Sequence, residues 1–156
     1  MKKSFFAFLV FYALALLAQF GGTIFTSMSV GDWYLALNRS PLTPPGYVFG
    51  LAWTVLYLMM ALAVWRVWRA QAGRWWTVAQ RLWLAQLAIG FSWNIVFFGL
   101  RHIEFGMAVI FLTLVAVLAT TRQFFRHDRL AGGLMLPLCL WLGFANYLQF
   151  YILLNN

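Results

Sequence analysis

The chain is short of charge. Only 9% of its 156 residues are Asp, Glu, Lys or Arg, and just three of those are acids. A water-soluble domain of this size carries roughly a quarter charged residues, so there is too little polar surface here to cover a globule in water. There is one cysteine, Cys139, which excludes a disulfide scaffold or a cysteine metal site within one chain and reads as a small buried hydrophobe. The acids Asp32, Glu104 and Asp128 and the histidines His102 and His127 all fall in or beside the breaks between apolar runs. No carboxylate pair within one leaflet and no Ser-His-Asp set can be assembled from them, and no metal site is expected. Both lysines, Lys2 and Lys3, stand at the very start, so the mid-membrane lysine that a retinal Schiff base needs is missing. Histidines facing each other within spans, as a bis-histidine haem needs, are missing too. With no ionisable group at depth an ion pump is not expected, and neither is a cofactor.

What is abundant is apolar and aromatic: 64% hydrophobic residues and 20% Phe, Trp and Tyr. A helix that crosses a bilayer needs about 20 mostly apolar residues. Five segments supply them, over residues 5–28, 45–67, 77–100, 105–124 and 131–154. The first is too long for the hydrophobic part of a typical secretory signal and is expected to be a retained helix. The breaks between the later spans are short, which makes consecutive helices antiparallel neighbours. The expected fold is all-α, a five-transmembrane-helix bundle forming a single integral membrane domain over residues 1–156.

Basic residues then orient the bundle. Lys2, Lys3, Arg66, Arg69, Arg74, Arg81, Arg122, Arg126 and Arg129 fall on one side, Arg39 and Arg101 on the other. Positive residues stay cytoplasmic in short-loop membrane proteins. The N-terminus is therefore expected inside and the C-terminus outside, with residues 29–44 on the outer face, in a membrane such as the bacterial inner membrane. The net charge of +8 does not imply nucleic acid, because the charges cluster at the ends of apolar runs rather than along one face.

Helical spacing sets rings on common faces. Phe49, Trp53 and Tyr57 follow one another at i, i+4 and i+8 on the second span. Gln86, Gly90, Trp93 and Phe97 share a face of the third at i, i+4, i+7 and i+11, and Pro137, Trp141, Phe144, Ala145 and Leu148 share the fifth. Gly90 and Ala145 are small residues among large rings, leaving room for a neighbouring helix or for a guest. Ordinary aromatic packing and an aromatic pocket for a flat hydrophobic molecule both fit this pattern, and packing is the commoner outcome. The buried amides Gln19, Gln86, Asn94, Asn146 and Gln149 read either as interhelical glue or as cavity lining. Pro45 suits the first turn of the second span. Residues 33–43 before it are long for a helix connection and could lid the bundle. Ala18, Gly22 and Thr26 put small groups along one face of the first helix, for a dimer or for internal packing alike.

Several blocks together resemble the TspO/translocator-protein family, also known as tryptophan-rich sensory proteins. The most specific is the run from Pro44-Pro45-Gly46-Tyr47 through Phe49, Trp53-Thr54 and Leu56-Tyr57. Trp33-Tyr34 with Pro41, Gln86-Leu87 with Trp93, and Leu136-Pro137 with Trp141 and Phe144-Ala145 support it, in order along nearly the whole chain. The resemblance implies a five-helix fold, commonly a homodimer, that binds porphyrins and flat synthetic ligands under the first loop. It implies ligand-binding roles for Tyr34, Pro45, Phe49, Trp53, Tyr57, Gln86, Gly90, Trp93, Trp141, Phe144, Ala145 and Leu148. Trp53 and Trp141 match tryptophans linked to porphyrin breakdown in some bacterial members. The chain departs from the family pattern at Gly90, where an Asn is usual, and at Leu138, Gln149 and Phe150, which would alter hydrogen bonding to a ligand. A sterol motif is missing from the fifth span, and sterol binding is not expected.

Three functions compete at this point. One is a membrane receptor or carrier for porphyrin-type tetrapyrroles. Another is light- or oxygen-dependent porphyrin degradation using Trp53 and Trp141, in which the chemistry would have to come from the excited ligand. The third is a helical scaffold or regulatory partner, with Ala18, Gly22 and Thr26 at its contact face.

Overall fold

The computed structural model describes residues 2–156. Five long helices carry the chain: α1 (Lys2–Ser29), α3 (Gly46–Ala70), α4 (Val78–Asn94), α5 (Ile103–Phe125) and α6 (Arg129–Asn155). The short α2 (Trp33–Ala36) lies within the first connection. Each long helix, with α4 extended by the turn that follows it, is long and apolar enough to cross a membrane. The fold is the all-α bundle that the apolar runs predict. α1 packs on α3 and α4, α3 on α6, α6 on α5 and α5 on α4, so the five close a ring.

Lipid-facing surface explains the composition. Phe20 and Ile24 on α1, Leu51 on α3, Phe111 on α5 and Leu140 on α6 are all exposed. In water such a surface would be an aggregation hazard; in hydrocarbon it needs no cover, because each helix satisfies its own backbone.

The helices extend past the predicted runs where charged residues start or finish them. α1 begins at Lys2 and α3 runs on past residue 67 through Arg69, since long basic side chains lie along an apolar helix and still deliver their charge to the interface. Pro45 is the residue that caps α3 rather than the first residue inside it. Its extended ψ of 150° stops the helix there, and its carbonyl accepts from the Val48 N–H at 2.9 Å. α4 begins with a reciprocal Thr77–Gln80 capping box. It does not run as one regular helix to residue 100. Ile95–Gly99 form a π-helical turn, closed by the Leu100 N–H on the Ile95 carbonyl at 2.8 Å. That wider turn buries the consecutive rings of Phe97 and Phe98 together. The close approach of Phe25 at Gly99 leaves little space for a side chain at 99.

At the basic end the ring is filled solid. Ala61, Ala63, Val64 and Val67 of α3 meet Ala7, Phe11, Trp83, Val117, Phe124 and Met135, all at most 3% exposed. Asp128 holds this end together. It caps α6 by accepting from the Ala131 N–H at 2.8 Å and takes two hydrogen bonds from Arg66, at 2.8 and 3.2 Å. The Arg66 hydrogen bond, then the Ala131 N–H and the guanidinium charge, hold the Asp128 carboxyl below its ordinary range against a smaller opposing effect of burial. Replacing Asp128 by Ala removes cap and ion pair together and should cost about 2 kcal/mol. A carboxylate whose pKa is depressed on folding stabilises above the ordinary carboxylate range and loses that contribution as pH falls through its folded value. The melting-temperature gap between wild type and Asp128→Ala should therefore be widest near neutrality and close in acid, as read by thermal melts in detergent.

Candidate functional site

The other half of the ring is hollow. A cavity of about 500 Å³ lies between the five helices, under the connection from α1 to α3. Its wall residues come from the later part of α1, the start of α3, the later part of α4, the first half of α5 and the later part of α6. Antiparallel helices bring those stretches to the same end, the end of the lid. Met60, Gln86, Leu87, Val117 and Leu138 reach it from the solid half and form its floor.

Ten of the twelve residues named from sequence line this cavity: Tyr34, Phe49, Trp53, Tyr57, Gln86, Gly90, Trp93, Trp141, Ala145 and Leu148. Two do not. Pro45 is displaced by its capping role, and Pro44 lines the cavity instead. Phe144 sits one place further round α6, against Trp141 at 6.0 Å and stacked on Tyr147 at 6.4 Å, outside the lining.

The rings interlock edge to face, as their quadrupoles favour. Trp141 stands between Phe49, at 5.6 Å and 73°, and Trp53, at 6.3 Å and 86°. Trp53 also meets Tyr57 at 5.8 Å. Elsewhere in the lining Trp93 stacks on Phe97 at 5.2 Å and 12°. The cavity thus has two ring-lined walls, one on α3 and α6, the other on α4.

Polar groups are few and placed at distinct levels. Near the floor the Gln86 amide donates to Met60 Sδ at 3.5 Å and its Oε1 has no partner, nor do the indole N–H groups of Trp93 and Trp141. Asn94 accepts from the Thr26 hydroxyl at 3.2 Å and donates to the Gly90 carbonyl at 3.3 Å. Gln149 donates to the Ile103 carbonyl at 3.1 Å. Asn146 is outside the lining and bonds the Ile110 and Leu142 carbonyls, as interhelical glue. Buried polar atoms without partners are costly, and among the described residues five of them, on Gln19, Arg39, Gln86, Trp93 and Trp141, belong to the lining of this largely apolar space. No acid, lysine, histidine or cysteine lines the cavity among the described residues. Its one charge is Arg39, at the mouth, over the Tyr34 ring at 5.2 Å and with its buried Nε unpaired. Burial pushes the Tyr34 phenol up, against a smaller pull from Arg39 in the opposite direction.

The lid is folded. Asp32 caps α2 through the Trp33 N–H and pairs with Arg101 at 3.4 Å, and Arg101 also donates to Ser29 at 3.3 Å. The Trp33 backbone N–H, more than Arg101, holds the Asp32 carboxyl below its usual range, against a smaller opposing effect of burial. Trp33 packs on Phe97 at 5.2 Å and Tyr34 on Phe98 at 5.5 Å, so the π-turn is the lid's seat. At the far side Asn38 donates from its backbone to Asn156 Oδ1 and from its amide to the Asn155 carbonyl, both at 2.9 Å. The Ser40 and Tyr147 hydroxyls meet at 3.2 Å.

Sequence reasoning left Gln19 open between interhelical glue and cavity lining, and, seeking rings, it missed the rest of the wall they do not build: Thr23 and Thr26 of α1, Val30 just after it, and Ile110, Thr113 and Val117 of α5. It also missed Arg39. The signal for Arg39 was present, as one of only two basic residues on the lid side. The small face of α1 turns inward. Ala18 packs on the core, a Cβ on Gly22 would meet Asn94 Nδ2 at 2.8 Å, and Thr26 bonds Asn94.

With this geometry in place, comparison with known proteins is informative. A model of the TspO/MBR family matches residues 10–154. The chain is 36% identical over 150 residues to the tryptophan-rich protein TspO of Archaeoglobus fulgidus, covering 95% of this chain and 96% of that one. It is 38% identical over 119 residues to a tryptophan-rich sensory protein of Cereibacter sphaeroides, 76% and 73% of the two chains. Against the human translocator protein the figures are 30% over 126 residues, 80% and 75%.

Proposed function

The chain belongs to the TspO/MBR family, and from that premise we propose that it is a membrane receptor or carrier for porphyrin-type tetrapyrroles held between its aromatic walls. The observation that carries this reading is the cavity itself, about 500 Å³ with ring-lined walls and an unpaired cation at the mouth. Ligand pockets for drug-sized molecules span roughly 300–1,000 Å³ and are mostly apolar with a few placed polar groups. A tetrapyrrole is flat and apolar over its faces, which suits ring walls, and carries carboxylates along one edge, which suits Arg39. The unpaired indole N–H groups of Trp93 and Trp141 and the Gln86 carbonyl offer further bonds to the ring substituents or pyrrole nitrogens. Binding rather than turnover is favoured because the lining supplies no acid–base pair. The N-terminus on the cytoplasmic side of a bacterial inner membrane, and a homodimer, complete the proposal. The nine-to-two division of basic residues supports the orientation. The inward packing of Gly22 and Thr26 against Asn94 supports a dimer through a face other than Ala18, Gly22 and Thr26.

The test is tryptophan fluorescence titrated with protoporphyrin IX and with its dimethyl ester. Wild type should be quenched saturably by both and should prefer the free acid. A hydrogen bond to a charged group contributes about 1.5–3 kcal/mol, so Arg39→Gln should weaken the free acid at least about tenfold and leave the ester unchanged. Quenching that never saturates would remove the reading. Equal loss for acid and ester would remove the role of Arg39.

A further inference from the structure

The cavity has a way in that does not pass the lid. The lid is fastened toward α4 by Asp32 and Arg101 and to the end of α6 by Asn38, Ser40, Asn155 and Asn156. Exposed residues of the lining mark where the cavity opens: Val30 and Leu35 in the lid connection, and below them Thr23 of α1 and Gly46 and Gly50 of α3. A Cβ built on Gly46 or Gly50 would meet nothing within 4 Å, so the gap is real space and not merely a missing atom.

The opening lies beside lipid. Phe20 and Ile24 flank it on α1, Tyr47 and Leu51 on α3, all more than 60% exposed. Thr23 lies six residues and Gln19 ten residues before the end of α1, hence about 9 and 15 Å below the lid end at ~1.5 Å per residue. In this half of the molecule one side-chain hydrogen bond crosses the seam among the described residues, from Gln19 Nε2 to Thr54 Oγ1 at 3.0 Å. The other hydroxyl groups turn back on their own helices. Thr23 donates to the Gln19 carbonyl at 3.0 Å and Thr54 to the Gly50 carbonyl at 2.8 Å, which leaves the seam smooth to an apolar molecule.

We propose that the α1–α3 seam is a lateral portal through which a ligand dissolved in the bilayer enters the cavity sideways, with the Gln19–Thr54 bond as its sill. The proposal rests on the cavity-binding reading above. A flat hydrophobic molecule partitions into hydrocarbon, so it is already concentrated on this side. Passage over the top would break the ties of Asn38, Ser40 and Asp32, whereas passage through the seam asks for one bond to yield.

Stopped-flow quenching in proteoliposomes, with protoporphyrin IX already in the membrane, tests it. Leu51→Trp, on the lipid side of the gap and outside the cavity lining, should plug the gap and slow association and dissociation alike by about tenfold, leaving Kd little changed, within the spread of on-rates that variants of one site show. Thr54→Val should remove the sill and speed both. Asn38→Ala, which unties the lid, should change neither. Unaltered rates in both seam variants, or acceleration by Asn38→Ala alone, would overturn the portal while the wild-type quench stands. So would Leu51→Trp raising Kd at an unchanged association rate, since the side chain would then act on the cavity instead of the seam. A wild type with no saturable quench would remove the binding reading itself, and the portal with it.

Discussion

Gly90→Phe should abolish porphyrin binding and leave the bundle folded. Gly90 lies on α4 one turn before Asn94, half-buried, at the edge of the cavity. A Cβ there would come to 3.4 Å from Thr113 Cγ2 on α5, an ordinary van der Waals contact, so the backbone need not move to accept a side chain. The ring beyond that Cβ then has only the cavity to enter. There it would lie among Trp93, Asn94 and Thr113, where a flat ligand would otherwise slide against the α4 wall. Steric conflict in a packed site costs up to about 3 kcal/mol, which is roughly a 100-fold loss of affinity at ~1.4 kcal/mol per decade. The fold should hold, because the new ring fills space instead of displacing atoms, and its burial stabilises. The measurements are a protoporphyrin titration beside a thermal melt in the same detergent. Wild-type affinity with an unchanged melt would mean that porphyrin binds elsewhere on the molecule.

The helices were legible because twenty-residue apolar runs have one physical reading. Their ends were less so. An apolar criterion closes each run short of the outermost flanking charges, while Lys2, Arg69 and Arg129 continue or start helices whose ends sit at the interface. The π-turn at Ile95–Gly99 was invisible, because its cause is tertiary: Phe97 and Phe98 must both face inward to seat Trp33 and Tyr34. Within the site, helical spacing found the ring walls of α3, α4 and α6. It could not find the walls on α1 and α5, whose lining is small or hydroxylated and carries no aromatic period. The lid's fastening was out of reach for a different reason. Asn38 and Asn156 are 118 positions apart, and nothing local in either stretch announces the other.

Gly22→Leu should strongly destabilise the monomer rather than only separate two copies of it. The line of small residues Ala18, Gly22 and Thr26 fits a helix contact, and such a contact can lie within a chain or between chains. The structure puts it within. Gly22 is buried, and a Cβ at that position would approach Asn94 at 2.8, 3.0 and 3.3 Å, at the amide nitrogen, carbon and oxygen together. Asn94 cannot easily step aside, since it is held by the Thr26 hydroxyl on one side and the Gly90 carbonyl on the other. A leucine would force α1 away from α4, open one joint of the ring and break the Thr26–Asn94 bond in an apolar setting. Overpacking costs roughly 1–3 kcal/mol and a buried amide oxygen stripped of its partner a further ~1–3 kcal/mol. Domains have only about 5–15 kcal/mol in hand, so a large fall in melting temperature should follow, along with loss of the Asn94 wall of the cavity. Gly22→Ala should show a weaker form of the same effect. A contact between chains would behave otherwise: chemical crosslinking would lose its dimer band while the melt of the dilute protein stayed where it was. The two outcomes are separated by measuring both on one sample, and a retained melt would place the first helix at a dimer interface after all.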